Sequence, residues 1–488
     1  MKVKNFTDVK LLLLNNKSVK QTIFKNTFWL VIAEAISQLL KLVLLIYVAR
    51  ILGATEYGKF TFALAFVSLF VIFSDFGLSS ITTREFAREK EKEKEFSSIF
   101  TLKILLSLGA LTLMLVGSFF ITSDSAIRGV IWLLAVYALI TNFFEIIYAF
   151  LRARQKMEYE AFAKILEAII LTSTGFFIIL NFPSVQNLSY SYLFAGFISL
   201  TLILFFFHFK FFPLKISFKK SIWKRFLAMS WPLGFVAVFS VIYNHIDSVM
   251  MGYWGQITET GWYNAAYKIA YVILIPGTLI FRSFYPALSI AFRESKGGLQ
   301  KIWNYQTGVV VLITIPLVVG GGVLAPRIID FIYGSSFSPS TFAFQILIMM
   351  AGTMVLVTTF TQLLIIANQQ KKYFWISFFG AITNIVLNLI LIPKYSLYGA
   401  AIATFITMLL MLVLCLVAVV KFTSVRPLHF EIFLVFFVAF FCSIIMYFAI
   451  SLPLIYNLNV LLAILIGAAV YLTSFLVVNK FLKLNLYV

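Results

Sequence analysis

Apolar runs long enough to cross a bilayer, about 20 residues each, recur along the whole chain and are separated by short polar breaks. Helices are the only open-ended elements that satisfy their own backbone in lipid, so these runs predict transmembrane helices. Strands of a membrane barrel would be shorter and would alternate in polarity; these runs do neither. The pattern predicts fourteen spans, centred on 27–51, 60–81, 99–121, 129–151, 161–181, 188–208, 227–253, 261–287, 305–325, 339–367, 374–393, 399–420, 430–451 and 458–479. The expected fold is an all-α polytopic membrane protein.

Composition agrees. Of 488 residues, 61% are apolar and 12% charged, against about 25% charged in soluble domains. Cys415 and Cys442 both sit inside apolar runs, which supports neither a disulfide framework nor a metal cluster. Residues 1–26 are Lys-rich and amphipathic, as in Lys10-Leu11-Leu12-Leu13-Leu14. They are expected to lie in the headgroup region on the cytoplasmic side, with no cleavable signal peptide.

The net charge of +20 gains meaning from its distribution. With a cytoplasmic N-terminus, the predicted cytoplasmic segments hold 29 Lys and Arg, the outer loops 4 and the spans 6. Such a bias places both termini in the cytoplasm of a multi-pass cell-membrane protein. The basic charge is thus a topology signal with affinity for anionic membrane lipids, and nucleic acid is not an expected partner. The longest connection between spans is the basic linker 209–226. No extramembrane domain has room to fold, which argues against an enzyme of glycan assembly or an ATP-driven pump. The alternating charges from Arg84 to Glu95 read as a solvated helix with i,i+3 and i,i+4 pairs.

Two outer turns resemble each other. Span 1 ends in Arg50-Ile51-Leu52-Gly53-Ala54-Thr55-Glu56-Tyr57-Gly58, and span 7 in Gly252-Tyr253-Trp254-Gly255 through Thr258-Glu259-Thr260-Gly261. Each is bracketed by two glycines, and six spans separate them. This predicts two parallel six-helix lobes, 27–208 and 227–420, related by a pseudo-two-fold axis along the membrane normal, with 430–479 appended as spans 13 and 14.

Four motifs carry a family resemblance: Arg50-x-Leu52-Gly53-x-x-x-Tyr57-Gly58; Asp75-Phe76-Gly77 followed by Arg84-Glu85; Gly261-x-Tyr263-x-Ala265-Ala266-x-Lys268; and Asn388 to Ile392-Pro393 followed by Tyr398-Gly399-Ala400-Ala401. In their order and span positions the chain resembles the polysaccharide (Wzx-type) flippases of the multidrug/oligosaccharidyl-lipid/polysaccharide exporter superfamily. Ala54 stands where that family often has Pro. The resemblance implies a two-lobed transporter of lipid-linked oligosaccharide. Lipid II flippases are similar in span number, and twelve-span drug exporters are more distant.

Ionisable groups inside spans are costly and default to functional roles. Eleven occur: Glu34, Lys41, Arg50, Asp75, Lys103, Glu145, Lys164, Glu167, Asp247, Lys268 and Arg282. Glu34, Ser37, Gln38 and Lys41 form one polar stripe on span 1, which must face a water-filled cavity or a partner helix. Asn264, Lys268, Tyr271 and Arg282 follow helical spacing on span 8. A diphosphate-linked glycan pairs an anionic headgroup with hydroxyl-rich sugars. Lys and Arg suit the first and amides the second. Lys41, Lys268 and Arg282 are therefore candidate phosphate contacts. Glu34, Gln38, Asn244, Asn264, Gln345, Gln362, Asn384 and Asn388 are candidate sugar or polar contacts, with interhelix hydrogen bonding as the competing reading. Asp247, His245 and Glu34 are candidates for a coupling H⁺ or Na⁺; no other cofactor is expected. Asp75 is expected to close a turn with Arg84, and Glu145, Lys164 and Glu167 to pair between spans 4 and 5.

The expected function is a flippase moving lipid-linked oligosaccharide from the cytoplasmic to the outer leaflet by alternating access around a central cationic cavity, alongside other glycan-assembly membrane proteins. A cation-coupled drug exporter and a lipid II flippase are the alternatives. The excess of basic residues in spans 1 and 8 weighs against the former.

Overall fold

Ser18 opens the first helix by accepting a hydrogen bond from Gln21 N–H on its Oγ at 3.3 Å. The computed structural model describes residues 18–294, 296–427 and 429–482. Most of the expected 1–26 surface segment lies outside them, and residues from Val19 onward already belong to the first transmembrane helix. No strand occurs among the described residues.

The helices are α1 Val19–Val71, α2 Leu78–Arg88, α3 Phe96–Ile121, α4 Ser125–Ala153, α5 Met157–Asn181, α6 Val185–Lys210 and α7 Lys220–Tyr253, then α8 Ile257–Ala270, α9 Leu274–Glu294, α10 Lys296–Val323, α11 Ala325–Tyr333, α12 Ser340–Ile366, α13 Gln370–Phe422, α14 Phe430–Ser451, α15 Pro453–Tyr456 and α16 Val460–Leu482. Twelve helical stretches among the described residues are long and apolar enough to cross a membrane. Two of these are double. At 53 residues, α1 and α13 would each run about 80 Å if straight, far beyond a bilayer. Each is broken by a non-helical residue, Gly53 (φ 75°, ψ 175°) and Ser396 (φ 51°, ψ −129°). In α13 a Cβ at Gly380 would sit 2.8 Å from Met411 Sδ, so the two halves fold back on each other. Counting halves is compatible with the fourteen predicted spans.

Two compact units divide the chain, one ending at Tyr253 and the other beginning at Trp254. Thus the seventh-span helix, α7, packs with the six spans before it. The core of the first unit is an aromatic knot. Phe96 of α3, Phe150 of α4 and Phe207 of α6 have ring centroids 5.2–5.6 Å apart, with Phe86 of α2 and Phe226 of α7 in the same cluster. In the second unit, α14 and α16 pack together around Cys442, Met446 and Tyr471. Tyr471 Oη donates to the Leu312 carbonyl at 2.8 Å and ties α16 to α10.

Matched turns recur six spans apart. Gly53 and Gly255 have φ of 75° and 76°. Gly58 and Gly261, expected to bracket the same turns, instead lie inside helices. A second pair was not legible beforehand. Gln155 after α4 and Asn368 after α12 both have φ of 57°. Each is followed by the same wide backbone bond, Lys156 N–H to Leu151 O at 2.9 Å and Gln369 N–H to Leu364 O at 2.8 Å. This is the left-handed helix ending that returns a chain across its own last turn.

The segment after span 2 departs from expectation. The helix from Arg84 stops at Arg88, Glu89 is extended, and Lys90–Glu95 is a 3₁₀ segment. Nor is the stretch solvated throughout, since Glu85 and Phe86 are buried.

Candidate functional site

The span-1 stripe meets a complementary stripe on α5. Glu160, Lys164 and Glu167 stand at i, i+4 and i+7 and so share one face. Lys41 Nζ lies 3.2 Å from Glu167 Oε1, which also accepts from Tyr137 Oη at 3.3 Å. Glu34 is 3.6 Å from Lys164 Nζ and accepts from Gln38 Nε2 at 2.9 Å. Ser37, turned inward, donates to the Lys164 carbonyl at 3.2 Å. Two ion pairs thus cross the α1–α5 interface, so part of the stripe meets a partner helix. Glu145, Lys164 and Glu167 do form ion pairs, but Lys164 turns to Glu34 and Glu160, while Glu145 meets Arg152 at 3.4 Å.

Two residues at the centre were missed. Glu160 is fully buried, and Arg152 holds it with a forked contact of 2.8 and 2.5 Å while Lys164 approaches at 3.1 Å. The signal in the sequence was Glu160 four residues before Lys164. Arg152, however, lies beyond the Gln155 turn. Four carboxylates (Glu34, Glu145, Glu160, Glu167) and three cations (Lys41, Arg152, Lys164) make the network negative by one charge. Its inner part is dry, but Glu34 is 48% and Lys41 34% exposed. Charged groups left this open within a span are costly against lipid.

The Asp75-Phe76-Gly77 motif is architectural. Asp75 does not pair with Arg84. Its carboxylate accepts from buried Lys103 at 2.5 Å and from Ser79 Oγ at 2.5 Å, whereas Arg84 pairs with Glu85 at 3.1 Å. Lys103 also donates to Asn142 Oδ1. The break at Ile72–Gly77 explains this geometry: it carries Asp75 back towards α3 and turns Arg84 outward. Gly77 has φ 81°, and a Cβ there would meet the Ser230 carbonyl at 2.9 Å. Among the other motif residues, Tyr57, Gly261 and Gly399 are buried and Arg50 is exposed.

The second unit carries cations of a different kind. Lys268 on α8 is partly buried, Arg282 on α9 is exposed, and neither has a hydrogen-bond or ion-pair partner among the described residues. Beside Lys268 the rings of Tyr263, Tyr267 and Tyr271 follow one another at 5.9 and 4.8 Å. The candidate amides divide. Asn264 donates to the Thr260 carbonyl at 2.9 Å and Gln345 to the Gly322 carbonyl at 3.0 Å, both staying partly open. Gln362, Asn384 and Asn388 are fully buried. Gln362 accepts from Gln306 at 2.6 Å and donates to the Phe281 carbonyl at 2.9 Å, and Asn388 donates to Asn384 at 3.1 Å. Gln362 thus bridges α12 to α9 and α10, whereas the Asn384–Asn388 bond lies within α13, one turn apart. On α7, Asn244 donates to the Ser240 carbonyl at 2.7 Å, Asp247 is buried and His245 partly so.

The sequence profile described as polysaccharide biosynthesis protein matches residues 23–292, more than half of the chain. The chain is 27% identical over 194 residues to a probable flippase, AglR, of Haloferax volcanii, covering 38% of this chain and 40% of that protein. It is 22% identical over 369 residues to a probable low-salt glycan biosynthesis flippase, Agl15, of the same organism, covering 73% and 75%. In fold it is similar to the lipid II flippase MurJ in an inward closed conformation, with a TM-score of 0.76 at 20% identity over 93% of this chain and 99% of that one. A multi-span membrane protein with charged faces at mid-span and the matching profile, the chain belongs to the polysaccharide biosynthesis protein family.

Proposed function

We propose that this chain is a flippase that carries a lipid-linked oligosaccharide, of the polyprenyl-diphosphate type, from the cytoplasmic to the outer leaflet. The observation that carries the reading is the pair of cations in the second unit, Lys268 and Arg282, which no carboxylate neutralises among the described residues. An isolated charge within a span is costly, and a diphosphate that arrives and leaves offsets that cost only while bound. In the first unit, the half-open charges of Glu34 and Lys41 offer a polar surface of their own. The family match and the names of the relatives support the same cargo class. The chain acts as a transporter and not an enzyme, with both termini cytoplasmic and alternating access as its mode. Asp247, His245 and Glu34 remain the candidates for a coupling ion.

The test is translocation in vesicles that contain the purified protein and a polyprenyl-diphosphate glycan, read as protection of the glycan from an external lectin. Movement that depends on the protein and falls in Lys268→Ala and Arg282→Ala is the expected result. No protein-dependent movement of any such glycan, under any ion gradient, would sink the proposal.

A further inference from the structure

Between α6 and α7 the chain runs without a regular element, yet it is tied down. Lys215 N–H donates to Ser97 Oγ at 3.4 Å, Ser217 N–H to Thr101 Oγ1 at 2.9 Å and Trp223 Nε1 to the Ser98 carbonyl at 2.9 Å. All three acceptors lie in the first two turns of α3, so the linker is a strap laid along one end of a transmembrane helix. Phe212 and Leu214 pack inward against the aromatic knot. Ile216 and Phe218 point the other way and are 72% and 68% exposed. Around them Lys215, Lys219, Lys220 and Lys224 are exposed and have no hydrogen bond or ion pair from their side chains among the described residues. Arg225 is taken by Glu95, and residues 209–226 contain no acidic group.

We infer that this strap is a docking site for anionic glycerophospholipid headgroups of the cytoplasmic leaflet, with Ile216 and Phe218 entering the boundary between headgroups and acyl chains. Two apolar side chains held outward by a backbone that is itself anchored gain nothing from water. At the end of a span the medium beside them is the membrane interface, where aromatic and aliphatic tips sink and lysines stay at headgroup level. Four unneutralised lysines in ten residues of chain match the charge of an anionic leaflet, which is attractive within a Debye length of its surface. The same docking fixes the entry of α7, since the strap leads directly into its first turn. The inference rests on the sidedness read from charge and not on the cargo of the proposed transport.

A nitroxide on Ile216→Cys tests it in the full-length protein; Cys415 and Cys442 are fully buried, and the unsubstituted protein serves as the labelling control. Reconstitution is into phosphatidylcholine alone or with increasing phosphatidylglycerol. The expected result is a label more accessible to oxygen than to a water-soluble nickel chelate, with mobility falling as phosphatidylglycerol is added. Lys219→Gln should raise the phosphatidylglycerol fraction needed for half the response about fivefold. Gln at all four lysines should abolish the response, and Arg at all four should preserve it. A label that stays in water at every composition, or a response unchanged in the four-Gln protein, would overturn the inference. Neither label measurement requires transport, so failure here and failure of the flippase reading are separate results.

Discussion

Lys41 of α1 and Glu167 of α5 face each other across the interface of two transmembrane helices at 3.2 Å. Glu167 is nearly enclosed, whereas Lys41 keeps a third of its side chain open. One member of the pair is thus anchored and the other is within reach of a ligand. Exchanging the charges, Lys41→Glu with Glu167→Lys, separates the two roles. The exchanged protein should melt within a few degrees of the parent, because the pair is retained, but should lose translocation of a diphosphate-linked glycan at least tenfold. Retained transport would make Lys41 a purely structural partner.

Glu160 should matter for stability far more than Glu34. Glu160→Gln leaves Arg152 and Lys164 facing each other without the carboxylate between them, a loss of about 3–5 kcal/mol for a broken buried network. Glu34 is half-open and its ion pair is long, so Glu34→Gln should cost at most about 1 kcal/mol. Melting in detergent compares the two, and equal losses would contradict the assignment of a dry core and a wet edge.

Lys268→Ala and Arg282→Ala should behave in the opposite sense. Neither orphans a carboxylate, so melting should be unchanged or slightly raised, while translocation falls at least tenfold. Lys268→Arg should retain most of the rate, since the cation remains. A fall in melting temperature that parallels the loss of transport would show that these residues hold the fold.

Gly399→Ala tests the reversal in α13. The added Cβ would collide with the Leu391 carbonyl, a backbone atom unable to step aside, and overpacking of this kind costs about 1–3 kcal/mol. Gly129→Ala, where a Cβ meets nothing within 4 Å, should leave melting unchanged or raise it slightly through helix propensity.

The transmembrane helices were legible because lipid enforces length and apolarity, and the span-1 stripe because a helix cannot hide four polar side chains on one face. What the stripe meets was not legible. Glu34 and Lys41 choose Lys164 and Glu167 because α1 and α5 are neighbours, a fact that helical periodicity does not contain. Arg152 was missed for a related reason: the left-handed Gln155 returns the chain so that residues eight apart, Arg152 and Glu160, sit side by side. Asp75 looked like a partner for Arg84 on local spacing, but the 3₁₀ turn and the left-handed Gly77 swing it towards Lys103. The buried amide of Gln362 shows the limit of reading polarity as function, since an amide inside a span serves a helix contact as readily as a ligand.

The socket formed by Phe76 and Gly234 has a consequence for how such chains diverge. The Phe76 ring occupies the space where a side chain at 234 would begin, with a Cβ there only 2.7 Å from its atoms, and Gly77 abuts the backbone of the same helix turn. Neither side can enlarge alone. Among descendants of this sequence, bulk gained at 234 should be accompanied by bulk lost at 76, and position 77 should stay glycine through both changes. The two helices are thereby committed to a shared history.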